Sequence, residues 1–304
     1  MRFRTDLITE ATEIDSALNG IKSTKINNYG IEGTCVQVLS EEAQKRIGKK
    51  QGKYISFESE AVLSRNTEEY LKISKALSEE IKKLVPAKKN KTVLVVGLGN
   101  EEMTPDSIGP LVVKNIFVTR HILKYLPGEA DERMNSVSAI APGVLGVTGL
   151  ESADVIKGII TKTDVCGVIV IDALAARRSE RMFSTFQLTD TGIEPGAGVG
   201  NKRSALTKET LGVPVIAIGV PTVIYASSLV YDAAVDLLSD ITGQDEQKLE
   251  DAARKMASFS MEDMVVTPKE IDIIAKDSAK IIADGINLAL HDNISLNEIQ
   301  SYMF

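Results

Sequence analysis

Short, unbroken aliphatic runs alternate along this chain with longer stretches whose apolar residues recur at helical spacing. Residues 92–96 (TVLVV) and 167–171 (GVIVI) are apolar at almost every position, the pattern of strands buried on both faces. The second of these is expected to stop on Asp172. Residues 135–141, 182–188 and 213–220 predict further strands, and 37–39 is a weaker candidate. In 66–84 the period changes: Tyr70, Leu71, Ile73, Leu77, Ile81 and Leu84 mark one face of a helix that Pro86 ends. Helices are predicted likewise over 107–126, 148–160, 222–238, 245–256 and 268–290. Strands that alternate with helices favour parallel pairing with helices on both faces. The expected fold is α/β, a doubly wound, mainly parallel sheet with helical additions at both ends, in one domain over 1–304. Residues 1–25 are polar, acidic and threonine-rich, and are expected as an arm laid over the surface or left mobile.

Composition narrows the function. With 304 residues, 43% of them hydrophobic, the chain can bury a large core. Its 35 basic and 42 acidic residues leave a net charge of -7, which argues against a general nucleic-acid surface. Cys35 and Cys166 stand far apart and offer neither a disulfide framework nor a cysteine zinc site, as suits a reducing cytoplasm. No apolar run approaches the ~18 residues of a membrane span, and the first residues lack the apolar core of a secretory signal, so no membrane partner is expected.

The candidate chemistry gathers where strands end. Gly97-Leu98-Gly99-Asn100 follows the first buried strand and invites a phosphate-binding reading. Met103 stands in the third glycine's place, however, and Pro105-Asp106 sets a negative charge where an anion would sit. Asp106 and Asp172 both fall at strand carboxyl ends, where open α/β sheets collect their ligands. Each has a plain alternative: Asp106 can cap the next helix, and Asp172 can accept hydrogen bonds from its own loop. Together they form a candidate pair that holds a single proton, one carboxylate acting as base on water and the other as acid. His121 and His291 give no metal cluster, so magnesium on carboxylates is conceivable whereas zinc or nickel lacks its usual ligands. A Ser-His-Asp triad is poorly supported, since Ser107, Ser152 and Ser204 sit in no G-x-S-x-G. Lys202 and Arg203, after GAGVGN, are candidates to bind an acidic substrate residue, against the alternative of a solvated loop. No cofactor is expected.

Five segments carry a family resemblance: RTDL near the start, VVGLGNEEMTPDSIGP, SAIAPGVLGVTGLES, VIVIDALAAR and MVVTPKEID. They resemble the spore germination proteases, endopeptidases that degrade small acid-soluble spore proteins at germination. The resemblance implies a fold similar to hydrogenase maturation proteases, a homotetramer in the cytoplasm of the spore core, and a catalytic pair at Asp106 and Asp172. It also implies a zymogen that trims itself between an acidic and a large apolar residue. Asp6-Leu7 has that form, although Ile8 replaces the usual small residue and Glu13-Ile14 offers a second such step. In the nickel-recognising relatives a histidine joins two carboxylates, and none occurs here between His121 and His291. A nickel-recognising maturation endopeptidase, a nucleotide-binding oxidoreductase and a noncatalytic binding protein are the alternatives.

Overall fold

The computed structural model describes residues 5–13, 19–85, 91–194, 204–242 and 264–303. In chain order these form α1 (Ile8–Glu13), β1 (Ile21–Asn28), β2 (Ile31–Val38), α2 (Glu41–Ile47), β3 (Gly52–Glu58), α3 (Ala61–Ser64), α4 (Thr67–Leu84), β4 (Thr92–Gly97), α5 (Ile108–Val113) and α6 (Arg120–Tyr125). They continue with β5 (Val137–Ile140), α7 (Leu145–Thr148), α8 (Ser152–Lys162), β6 (Val165–Ala176), β7 (Thr185–Thr189), α9 (Lys208–Leu211), β8 (Val215–Tyr225), α10 (Ala226–Thr242), β9 (Val265–Val266), α11 (Ile271–Leu290) and α12 (Leu296–Met303).

The strands join in one sheet, ordered β1-β2-β3-β7-β8-β6-β4-β5 among the described residues, with β9 on β8. Its centre is parallel, from β5 through β4 and β6 to β8, and its other half is antiparallel. Period-two alternation splits the parallel strands between two cores. Val93, Val95, Ile169 and Ile171 face α4, α5 and α11, whereas Leu94, Val96, Val168 and Val170 face α8 and α9. This is the α/β doubly wound arrangement expected; the addition before β4, expected to be helical, instead brings three antiparallel strands together with its helices, while helices and the short β9 follow β8. From β4 the chain steps to β5 on one side and then, through α8, to β6 on the other. The switch point of the sheet therefore lies between β4 and β6, where ligands of such folds bind.

Several expected elements differ, each for a local reason. The helix predicted over 107–126 is interrupted between α5 and α6. There the Phe117 N–H donates to Asn287 Oδ1 at 2.9 Å and Asn287 Nδ2 donates to the Asn115 carbonyl at 2.9 Å, so α11 supplies bonds that a continuous helix would have made itself. The strand expected to stop on Asp172 runs to Ala176, and β8 continues through Pro221 to Tyr225. Pairing survives the proline because the register slips there: Leu174 lies opposite Pro221, and Ala175 opposite Val223. The polar N-terminal stretch also lies deeper than its composition suggested. Leu7 and Ile8 are fully buried, and β1 begins at Ile21. The polar residues of β1 face solvent at the open edge of the sheet, which hides the strand from a hydrophobicity pattern. The helix predicted at 245–256 lies outside the described residues. Among those described, no helix is long and apolar enough to cross a membrane.

His291, which follows α11, is 1% exposed, with Nδ1 accepting from Asn135 N–H at 3.4 Å and Nε2 against the Phe117 carbonyl at 3.3 Å. Burial pulls its pKa down to about 4, against opposing pulls from the Phe117 carbonyl and Asp292. Below pH 6.5 the unfolded chain takes the proton first. Stability from this site is thus complete above pH 6.5 and lost as the pH falls toward 4, by roughly 3 kcal/mol in all. Urea unfolding of wild type and His291→Asn at pH 7 and pH 4.5 should show a smaller acid loss in the variant; equal losses would remove His291 as the source.

Candidate active site

Asp106 is positioned by backbone. After β4 the chain turns through Gly99, whose φ of +109° favours glycine, and returns by a single 3-10 turn, Thr104–Asp106, into α5. A Cβ on Gly99 would lie 2.0 Å from the Asp106 carbonyl oxygen, so the two arms of the loop are in backbone contact. Gly97 and Gly109 repeat this between β4 and α5: a Cβ on Gly109 would stand 2.1 Å from the Leu98 oxygen. The glycines that suggested a phosphate loop thus let the helix close on the strand. Within this turn Asp106 Oδ2 accepts the Asn100 N–H at 2.8 Å. Ser107 takes the N-cap position of α5, and Asp106 turns back into the loop instead. The register slip in β8 contributes too, because Thr222, the extra residue, donates its hydroxyl to the Pro105 carbonyl at 2.6 Å.

Asp172 lies inside β6, one residue beyond Ile171, the partner of Gly97 at the end of β4. It is 8% exposed, its Oδ1 accepts the Ala173 N–H at 3.0 Å, and Gly219 of β8 stands opposite it. Asp106 and Asp172 line one cavity of about 410 Å³ at the switch point. Two carboxylates there can pass protons to and from water beside a bound polar substrate. Neither histidine lines this cavity; His121 is exposed on α6 and His291 is buried elsewhere. Among the described residues no three His, Cys, Asp or Glu side chains gather as a metal-binding group.

Asp6 lines the same cavity. Its N–H donates to the Ala175 carbonyl at 2.9 Å and its Oδ2 accepts the Ala175 N–H at 2.8 Å, so residue 6 lies along the extension of β6. Two residues missed in the sequence hold its carbonyl oxygen: Lys49 Nζ at 2.9 Å and Gln187 Nε2 at 3.1 Å. Burial pulls the Lys49 pKa below the ordinary lysine value, while the carboxylates of Asp6, Glu10 and Glu194 pull it upward. Leu7 packs against Leu174, Ala176 and Ile193, and Ile8 enters a cluster with Val36, Val38 and Tyr54. Glu10, 2% exposed, accepts the backbone N–H groups of Arg177 and Arg178 and the Thr5 hydroxyl. Lysine in the polar KKQGK stretch carries no sequence signal of this role. Gln187, a lone amide inside the apolar run at 186–188, carries a weak one. Lys202 and Arg203 lie outside the described residues.

Fold and cleft together define an α/β protein with two aspartates and a segment of its own N-terminal chain lining one cavity at the switch point of its sheet. By sequence the chain belongs to the germination protease family, whose family model matches residues 4–263 and 260–303. It is therefore a peptidase. A germination protease of Caldanaerobacter subterraneus subsp. tengcongensis is 41% identical, covering 99% of this chain and 98% of the relative. One of Clostridium acetobutylicum is 40% identical over the same shares, and one of Clostridium tetani is 39% identical with 100% of both chains covered. Among solved structures, a NiFe hydrogenase maturation protease of Thermococcus kodakarensis covers 59% of this chain and 97% of its own, at 16% identity and a TM-score of 0.30.

Proposed function

We propose that the protein is an endopeptidase that begins the degradation of small acid-soluble spore proteins at germination, made as a self-processing zymogen and working as a homotetramer in the spore core. Asp106 and Asp172 act as an aspartate pair. Close carboxylates repel when both are ionised, so the pair keeps one proton between them. The ionised member takes a proton from water as the water oxygen adds to the peptide carbonyl carbon. The protonated member gives its proton toward the departing nitrogen, the C–N bond breaks, and the pair again holds one proton. The observation that carries this reading is Asp6, the acidic member of an acidic–apolar step, lining the same cavity as Asp106 and Asp172, with Leu7 packed on Leu174 and Ile193 beside it.

Self-processing is expected between Asp6 and Leu7. Mass spectrometry of aged full-length protein should show residues 1–6 lost from wild type and retained in Asp172→Asn. A chain still beginning at Met1 under activating conditions, or equal trimming in the variant, would count against it. Cleavage of a spore-protein substrate after Glu or Asp, with EDTA present throughout, tests the specificity and the metal-free mechanism together. Activity lost to EDTA and restored by one metal would replace the aspartate pair with a metal site on the same carboxylates.

A further inference from the structure

We propose that Lys49, Gln187 and the Ala175 backbone form the substrate subsites on either side of the cut, and that residues 5–8 occupy them as a peptide substrate would. The inference rests on the peptidase reading above and assigns the parts that read an acidic–apolar peptide. Asp6 lies beside β6, three residues past Asp172, with its N–H on the Ala175 carbonyl and its carboxylate on the Ala175 N–H at 2.8 Å. That N–H and the ammonium of Lys49 select an acidic side chain over a neutral one. The carbonyl of the same residue receives Lys49 Nζ at 2.9 Å and Gln187 Nε2 at 3.1 Å. Two donors converging on one carbonyl oxygen suit the charge that grows there when water adds to its carbon. Gln187 also accepts the Ile8 N–H on Oε1 at 2.7 Å, so a single amide spans the bond between residues 6 and 7 and fixes the register. Lys49 reaches back one residue as well, to the Thr5 carbonyl at 3.0 Å. The next subsite is the apolar pocket of Leu174, Ala176 and Ile193, filled here by the fully buried Leu7.

The test uses the full chain and two readouts. The first is the rate at which residues 1–6 are lost. Lys49→Met should lower it about 100-fold, and Lys49→Arg should recover part of that loss by keeping the charge. Gln187→Glu keeps the acceptor for Ile8 and loses the donor to Asp6, and should cost about 10-fold. The second readout needs no activity. In an Asp172→Asn background, Gln187→Leu should raise amide hydrogen exchange at Leu7 and Ile8 at least 10-fold and leave β4 unchanged. Processing at the wild-type rate in Lys49→Met and Gln187→Glu would overturn the assignment, as would exchange that rises equally in β4. If wild type itself never processes, the self-processing reading fails, and the exchange experiment still decides whether Gln187 holds residues 7 and 8.

Discussion

Asp106→Asn and Asp172→Asn are each expected to slow peptide cleavage by on the order of 10³ or more with the fold intact. Asparagine preserves one backbone acceptor contact at each position. Its oxygen can still take the Asn100 N–H at position 106 and the Ala173 N–H at position 172. What it cannot do is hold or release a proton, as the proposed pair requires. The loss should therefore fall mainly on kcat, since the Lys49, Gln187 and Ala175 contacts to peptide are untouched. Because the two act as a unit, the double variant should lose little more than either single one. Steady-state cleavage of an acidic–apolar peptide, with circular dichroism to confirm folding, decides the matter. Substantial activity in either folded variant would falsify the aspartate pair.

Gly109→Ala should be among the most damaging single methyl groups in the described residues. The added carbon would meet the Leu98 oxygen at 2.1 Å and the Leu98 nitrogen at 2.5 Å. Both are backbone atoms of the turn after β4 and cannot rotate away, so α5 would have to lift from the sheet. We expect a loss of about 3 kcal/mol, at the upper end for overpacking, read as a lower urea midpoint. Asp106 precedes α5 by two residues and would shift with it, so cleavage should also fall in molecules that remain folded. A midpoint shift worth less than ~0.5 kcal/mol, an ordinary surface effect, would show that the contact yields more easily than its geometry implies.

How legible the molecule was in its sequence depended on which face of each element meets water. β4 and β6 are buried on both faces, so their composition announced them, and the carboxylates followed, Asp106 in the turn after β4 and Asp172 inside β6. β1 announced nothing because Lys22, Ser23, Thr24 and Lys25 are exposed along the sheet edge. The segment at residues 5–13 read as a surface arm because its polar residues dominate its composition. Asp6 and Glu10 turned out to be satisfied by backbone N–H groups of β6 and the residues after it, a use that composition cannot express. The break between α5 and α6 was equally hidden, since its cause, Asn287, lies far away in sequence. Lys49 and Gln187 escaped notice for the same reason: their meaning is a shared partner, the carbonyl of residue 6.

The complete burial of Leu7 and Ile8 has a consequence for turnover. A cut between Asp6 and Leu7 frees only what precedes it, and the new amino end stays tethered beside the cleft. Burying two such side chains is worth ~1.5–3 kcal/mol each, and a tether holds its end at a millimolar-scale effective concentration. Incoming substrate must displace a competitor that cannot diffuse away. The first cut would then leave the enzyme partly product-inhibited by its own chain, and removing a few residues beyond Ile8 would raise its apparent affinity for substrate without altering either carboxylate.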